Sequence, residues 1–84
     1  MAVYFGVIIS PCQGRVERVE ITNESRIYEW DPLFYIKTPE GHVEVIQIGV
    51  SGEIESLEVQ VGEAVIPGMV LAYIKEDLYV TGTD

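Results

Sequence analysis

At 84 residues the chain has room for one domain with a modest core, and its 48% hydrophobic content suits a globular fold rather than a disordered one. Five basic side chains against fourteen acidic ones give a net charge of −9, a field that repels phosphate backbones and anionic lipid. Nucleic acid and membrane surfaces are therefore not expected partners. No apolar run approaches the roughly 20 residues that span a bilayer, and the start lacks the basic segment of a secretory signal. Cys12 stands alone and cannot form an internal disulfide, so a cytoplasmic protein is expected.

Taken in order, the apolar run Tyr-Phe-Gly-Val-Ile-Ile at 4–9 has strand length and ends in turn chemistry at 10–14. Residues 15–21 alternate charged and apolar side chains imperfectly, which suits a half-buried strand with one irregularity. A loop at 22–25 leads to a short strand at 26–28, a second loop at 29–32 and a strand at 33–37. Thr38-Pro39-Glu40-Gly41 has proline followed two places later by glycine, a strong β-turn signal, and residues 42–48 return as a strand.

The second half repeats the first at a shift of 38 residues. Gly14 falls on Gly52, Glu17 on Glu55, Glu20 on Glu58 and Leu33 on Leu71, and Tyr35-Ile36-Lys37 falls on Tyr73-Ile74-Lys75 without a gap. The apolar positions Val16, Val19, Ile21 and Ile27 meet Ile54, Leu57, Val59 and Val65, and Val7-Ile8 meets Val45-Ile46. Two such halves, spanning about 5–41 and 43–77, each bury one apolar face and are expected to pack as a pseudo-two-fold pair within one domain over 1–84. The strand at 71–75 has no return strand after it. Its equivalent is the run at 5–9, so the chain ends are expected to meet where the other half has its hairpin, with 78–84 a tail outside the repeat.

The stretch Gly62-Glu63-Ala64-Val65-Ile66-Pro67-Gly68-Met69-Val70-Leu71 resembles the biotinyl/lipoyl carrier-domain family, whose second half carries Gly-(Asp/Glu)-x-Val-x-x-Gly-x-x-Leu. The resemblance runs from about Val7 to Lys75 and implies an all-β flattened barrel-sandwich of about eight short strands. In acylated members, similar to biotin carboxyl carrier protein, a lysine at the tip of the first-half hairpin takes biotin or lipoate. Here the tip is Pro39-Glu40-Gly41, and the carrier position is Glu40, a carboxylate that forms no amide with either acid. The segment 41–52 is about one residue longer than in typical members. Glu24 and Trp30 stand where the family has glycines.

Among candidate site residues, Lys37 is the lysine nearest the tip, three places early. Its twin Lys75 marks it as an ordinary strand lysine, and attachment of biotin or lipoate at Lys37 is the alternative. His42 between Glu40 and Glu44 would share a strand face with both carboxylates, and it is read as a solvated face rather than a metal site. Cys12 has no basic neighbour except Arg15 and is read as a packed or incidental thiol. Trp30 on its loop is expected to plug the end of the barrel, with an interface anchor as the alternative that Tyr28 and Tyr35 share. No catalytic group and no metal ligand emerges. The expectation is a protein-binding or structural module without cofactor, not an enzyme, whose partner is another protein. The alternative is a carrier subunit of a biotin- or lipoate-dependent enzyme.

Overall fold

In the computed structural model, which describes residues 2–78, the chain is all-β: eight strands in two four-stranded antiparallel sheets form a flattened barrel-sandwich. In order these are β1 (Ala2–Ile9), β2 (Gly14–Val19), β3 (Arg26–Ile27), β4 (Phe34–Lys37), β5 (Val43–Ile46), β6 (Gly52–Leu57), β7 (Ala64–Val65) and β8 (Val70–Leu78). One sheet runs β1-β8-β6-β3 and the other β5-β4-β2-β7. A shift of 38 residues turns each order into the other, strand for strand. β2 to β5 are shorter than the sequence suggests, because Ile21, Tyr28, Leu33, His42 and Ile48 lie just outside the strands expected to hold them, whereas β1 and β8 run longer. Of the expected tail at 78–84, Leu78 instead closes β8 opposite Ala2, and residues 79–84 lie outside the described residues.

Register repeats along with order. Phe34 faces Ile46 and Tyr35 faces Val45, just as Ala72 faces Ile8 and Tyr73 faces Val7. The irregularity expected between 15 and 21 is a β-bulge at Glu17, between Val16 and Arg18, and β6 has the same bulge at Glu55. A bulge re-aims the strand and tightens its twist, which lets each half curl around the core.

Among the residues whose burial is described, the buried apolar ones are Ile8, Val16, Ile21, Ile27, Leu33, Phe34, Ile36, Ile46, Ile54, Val59, Val65, Leu71, Ala72 and Ile74. Each has a twin 38 places away within the same set. Only Phe34 and Ala72 differ much in size, so large and small side chains share the load at that position. The halves are also joined through backbone. The Glu24 amide donates to the Ile54 carbonyl (2.8 Å) and the Gly62 amide to the Val16 carbonyl (2.8 Å). The Trp30 amide donates to the Ile48 carbonyl (2.8 Å) and the Gly68 amide to the Ser10 carbonyl (2.8 Å).

These four donors sit at the third residue of tight turns. The Ser25 amide closes on Thr22 and the Asp31 amide on Tyr28, while Glu63 closes on Gln60 and Met69 on Ile66. The third residue has φ of 69° at Glu24, 66° at Trp30, 97° at Gly62 and 88° at Gly68, the geometry of type II turns. Glycine adopts it freely, and the first half does so with a glutamate and a tryptophan.

Candidate functional site

The hairpin joining β4 to β5 is built by its sequence. The Gly41 amide donates to the Thr38 carbonyl (2.9 Å) and the Thr38 amide to the His42 carbonyl (2.8 Å). Pro39 and Glu40 are therefore the two central residues, and Gly41 follows at φ 96°. Glu40 has no positive φ, so this is a type I turn followed by a left-handed glycine, a common three-residue hairpin loop. Proline presets φ at the first central position. Pro39, Glu40 and Gly41 are exposed, while Thr38 is buried beneath them with its hydroxyl against His42. What the tip presents to solvent is a carboxylate.

Lys37 is the last residue of β4, paired with Val43 on one side and Arg15 on the other. Its side chain is exposed and, among the described residues, the structure gives it no ion pair or hydrogen bond. The other basic residues are engaged. Arg18 pairs with Glu20, Arg26 with Glu53 and Asp77, Lys75 with Glu55, and Arg15 donates to the Gly62 carbonyl (2.7 Å). Lys37 stands at the rim of an open groove of about 560 Å³ that also includes Gly14, Val16, Pro39, Val65 and Ile66.

His42 and Glu44 do share a face, and they use each other: Nε2 lies 3.0 Å from the Glu44 carboxylate. No group of three or more His, Cys, Asp or Glu side chains converges on a metal-binding arrangement among the described residues. Cys12 is partly buried against the core. Burial pushes its thiol up, the Ser10 hydroxyl opposes this, and the charge of Glu44 adds to it. A raised thiol is protonated at neutral pH and is a poor nucleophile.

The expected plug is overturned. Trp30 remains 64% exposed and contributes nothing to the buried core, because the paired aliphatic residues and Phe34 already fill both halves. Its six-membered ring lies on the backbone of Gly49, so close that a β-carbon there would sit 2.7 Å from the ring. The loop beneath is tightly held. The Tyr28 amide donates to Asp31 Oδ2 (2.9 Å), and the Gln47 side-chain amide donates to the Trp30 carbonyl (2.9 Å). Tyr28, 60% exposed, belongs to the same loop. The result is a fixed, exposed aromatic platform. Tyr35 is placed differently, half-buried on β4 with the Arg18 guanidinium 5.5 Å above its ring. Sequence reasoning missed Gly49, which no turn or motif marks. Its role follows only from where the indole lies.

No family model matches the chain. It is 30% identical over 71 residues to the mitochondrial methylcrotonoyl-CoA carboxylase subunit alpha of Glycine max. That match covers 84% of this chain, which spans only 10% of the length of that subunit.

Proposed function

We propose that this chain is a biotinyl/lipoyl-like module that carries no acyl group and works by binding another protein, without being an enzyme itself. The observation that carries this is the hairpin apex. A carrier needs an amine projecting from the turn so that a long arm can swing between active sites, and the turn here projects Glu40. Pro39 and Gly41 specify the turn around it, and the residue they hold at the apex is not a lysine. The aromatic platform of Tyr28 and Trp30 supplies the kind of surface that anchors a protein partner: large, rigid and apolar with a polar edge. The acidity of the chain disfavours nucleic acid and anionic membrane, and no described helix is long and apolar enough to cross a bilayer. A cytoplasmic location is part of the proposal.

A second reading follows from the likeness to a carboxylase subunit and from the unengaged amine at the rim of the groove. In it the chain is a carrier subunit of a biotin- or lipoate-dependent enzyme, loaded on Lys37. Against it stands the position of Lys37 in a strand paired on both sides, and its recurrence as Lys75. Intact-mass measurement of the protein from its own cells, with avidin and anti-lipoate blots, separates the two. The expected result is the unmodified mass. A stoichiometric adduct mapped to Lys37 overturns the non-acylated reading.

A further inference from the structure

The strands at the ends of the sheets are not equally guarded. β3 and β7 are two residues long, too short to template another strand. β5 is four residues long and carries Glu44 in its middle, with His42 paired to that carboxylate and Glu40 beyond. An inward-facing charge is a standard device against edge-to-edge pairing. β1 is the pseudo-symmetric counterpart of β5, and it has Gly6 where β5 has Glu44. It is eight residues long, reads Ala-Val-Tyr-Phe-Gly-Val-Ile-Ile, and contains neither charge nor proline. No charged residue occurs in the chain before Arg15. β8 pairs with one side of β1 along its whole length, and the other side has no strand partner among the described residues.

From this unguarded edge we infer that two copies of the chain associate through β1, antiparallel about a two-fold axis, joining their β1-β8-β6-β3 sheets into one eight-stranded sheet. The occupant is a second copy for reasons of length and charge. An antiparallel strand edge is self-complementary under a two-fold, and a copy supplies an uncharged strand of matching length, about 26 Å at roughly 3.3 Å per residue. The outer faces of Val7 and Ile9, each about half exposed, lie beside Tyr73, and the two-fold doubles that apolar row. A basic partner would find nothing to pair with on this strand and is selected by the acidic remainder of the surface instead.

The net charge of −9 does not forbid the contact. The nearest acidic backbone positions are Glu76 and Asp77 on β8, opposite Tyr4 and Val3. In the dimer two β8 strands are separated by three strand spacings, about 14 Å, beyond the Debye length of about 8 Å at physiological salt. The Glu76 carboxylate leans over Gly6, 2.9 Å from where a β-carbon would stand, so some repulsion persists at low salt. Association therefore strengthens as salt rises. This inference is independent of whether the chain carries an acyl group.

Sedimentation of the full chain from micromolar to millimolar concentration, at low and physiological salt, tests it. The expected result is a monomer–dimer equilibrium that shifts toward dimer with salt and slows amide exchange at residues 6–9. Val7→Lys places a charge on the exposed face of β1 and weakens the dimer at least tenfold, while Val45→Lys, the same change on β5, leaves it unaltered. Circular dichroism and melting confirm that both variants are folded, and Ile9→Lys serves in place of Val7→Lys if that one is not. A parent that stays monomeric throughout overturns the inference. So does a dimer lost in Val45→Lys but kept in Val7→Lys, or assembly that continues past the dimer.

Discussion

At Glu24 and Trp30 the chain holds two bulky residues at φ of 69° and 66°, where the other half uses Gly62 and Gly68. A left-handed conformation costs a non-glycine residue about 1–2 kcal/mol. Glycine restores roughly 0.5–1 kcal/mol of that cost to the unfolded chain as added freedom. The balance favours Glu24→Gly, whose side chain is exposed, by up to about 1 kcal/mol, read as a rise of several degrees in Tm for a domain of this size. Trp30→Gly gains the same backbone relief but loses the indole on Gly49, so its Tm is expected to rise less. A Glu24→Gly variant that melts lower than the parent would contradict the strain at that turn. The 38-residue shift made both positions legible in the sequence. The exposure of Trp30 was not, because composition says how much apolar area exists and not which of it the core uses.

Where strands cross, the two halves depend on a missing side chain. Gly14 opens β2 against the Lys37 carbonyl and Gly52 opens β6 against the Lys75 carbonyl, and a β-carbon at either would collide with that backbone oxygen. Neither glycine has positive φ, so the requirement is close approach rather than turn geometry. Backbone cannot step aside as a side chain tip can. Gly14→Ala and Gly52→Ala are therefore each expected to cost about 1–3 kcal/mol, measured by denaturant or thermal unfolding. Shifts near zero at both would show that the crossing relaxes. The bulge was visible in the sequence as broken alternation at Glu17, and the hairpins as proline and glycine spacing. Strand ends were less visible, since Leu33 and Ile21 are buried whether or not they are ladder-paired.

For the molecule as a whole, the first and last described strands, β1 and β8, lie together where the other half has its hairpin. Phe5 faces Lys75 as Val43 faces Lys37. Beyond that pair the first half turns at Thr38, while β1 and β8 run on together through Tyr4–Glu76, Val3–Asp77 and Ala2–Leu78. This ribbon lengthens a body whose extents are 49 × 20 × 19 Å. A circular permutant joining Lys75 to Phe5 by a short turn and opened between Pro39 and Glu40 is expected to fold, with the same far-ultraviolet dichroism as the parent. Failure of the permutant beside a stable parent would mean that the halves are not equivalent. The exposed apex and the identity of its residue were legible from turn chemistry. The aromatic platform was only half so, because it depends on Gly49, Gln47 and Ile48 meeting a loop seventeen or more residues earlier.

The loop bearing Trp30 has one more consequence. The chain has a single tryptophan, and the folded protein leaves that residue 64% exposed with its ring resting on Gly49. Its emission is expected to shift less on folding than that of a core indole, so folding is better followed by dichroism or tyrosine signals. A molecule that settles on the ring changes its surroundings at once. The protein carries its own fluorescent label, tuned to contact rather than to collapse.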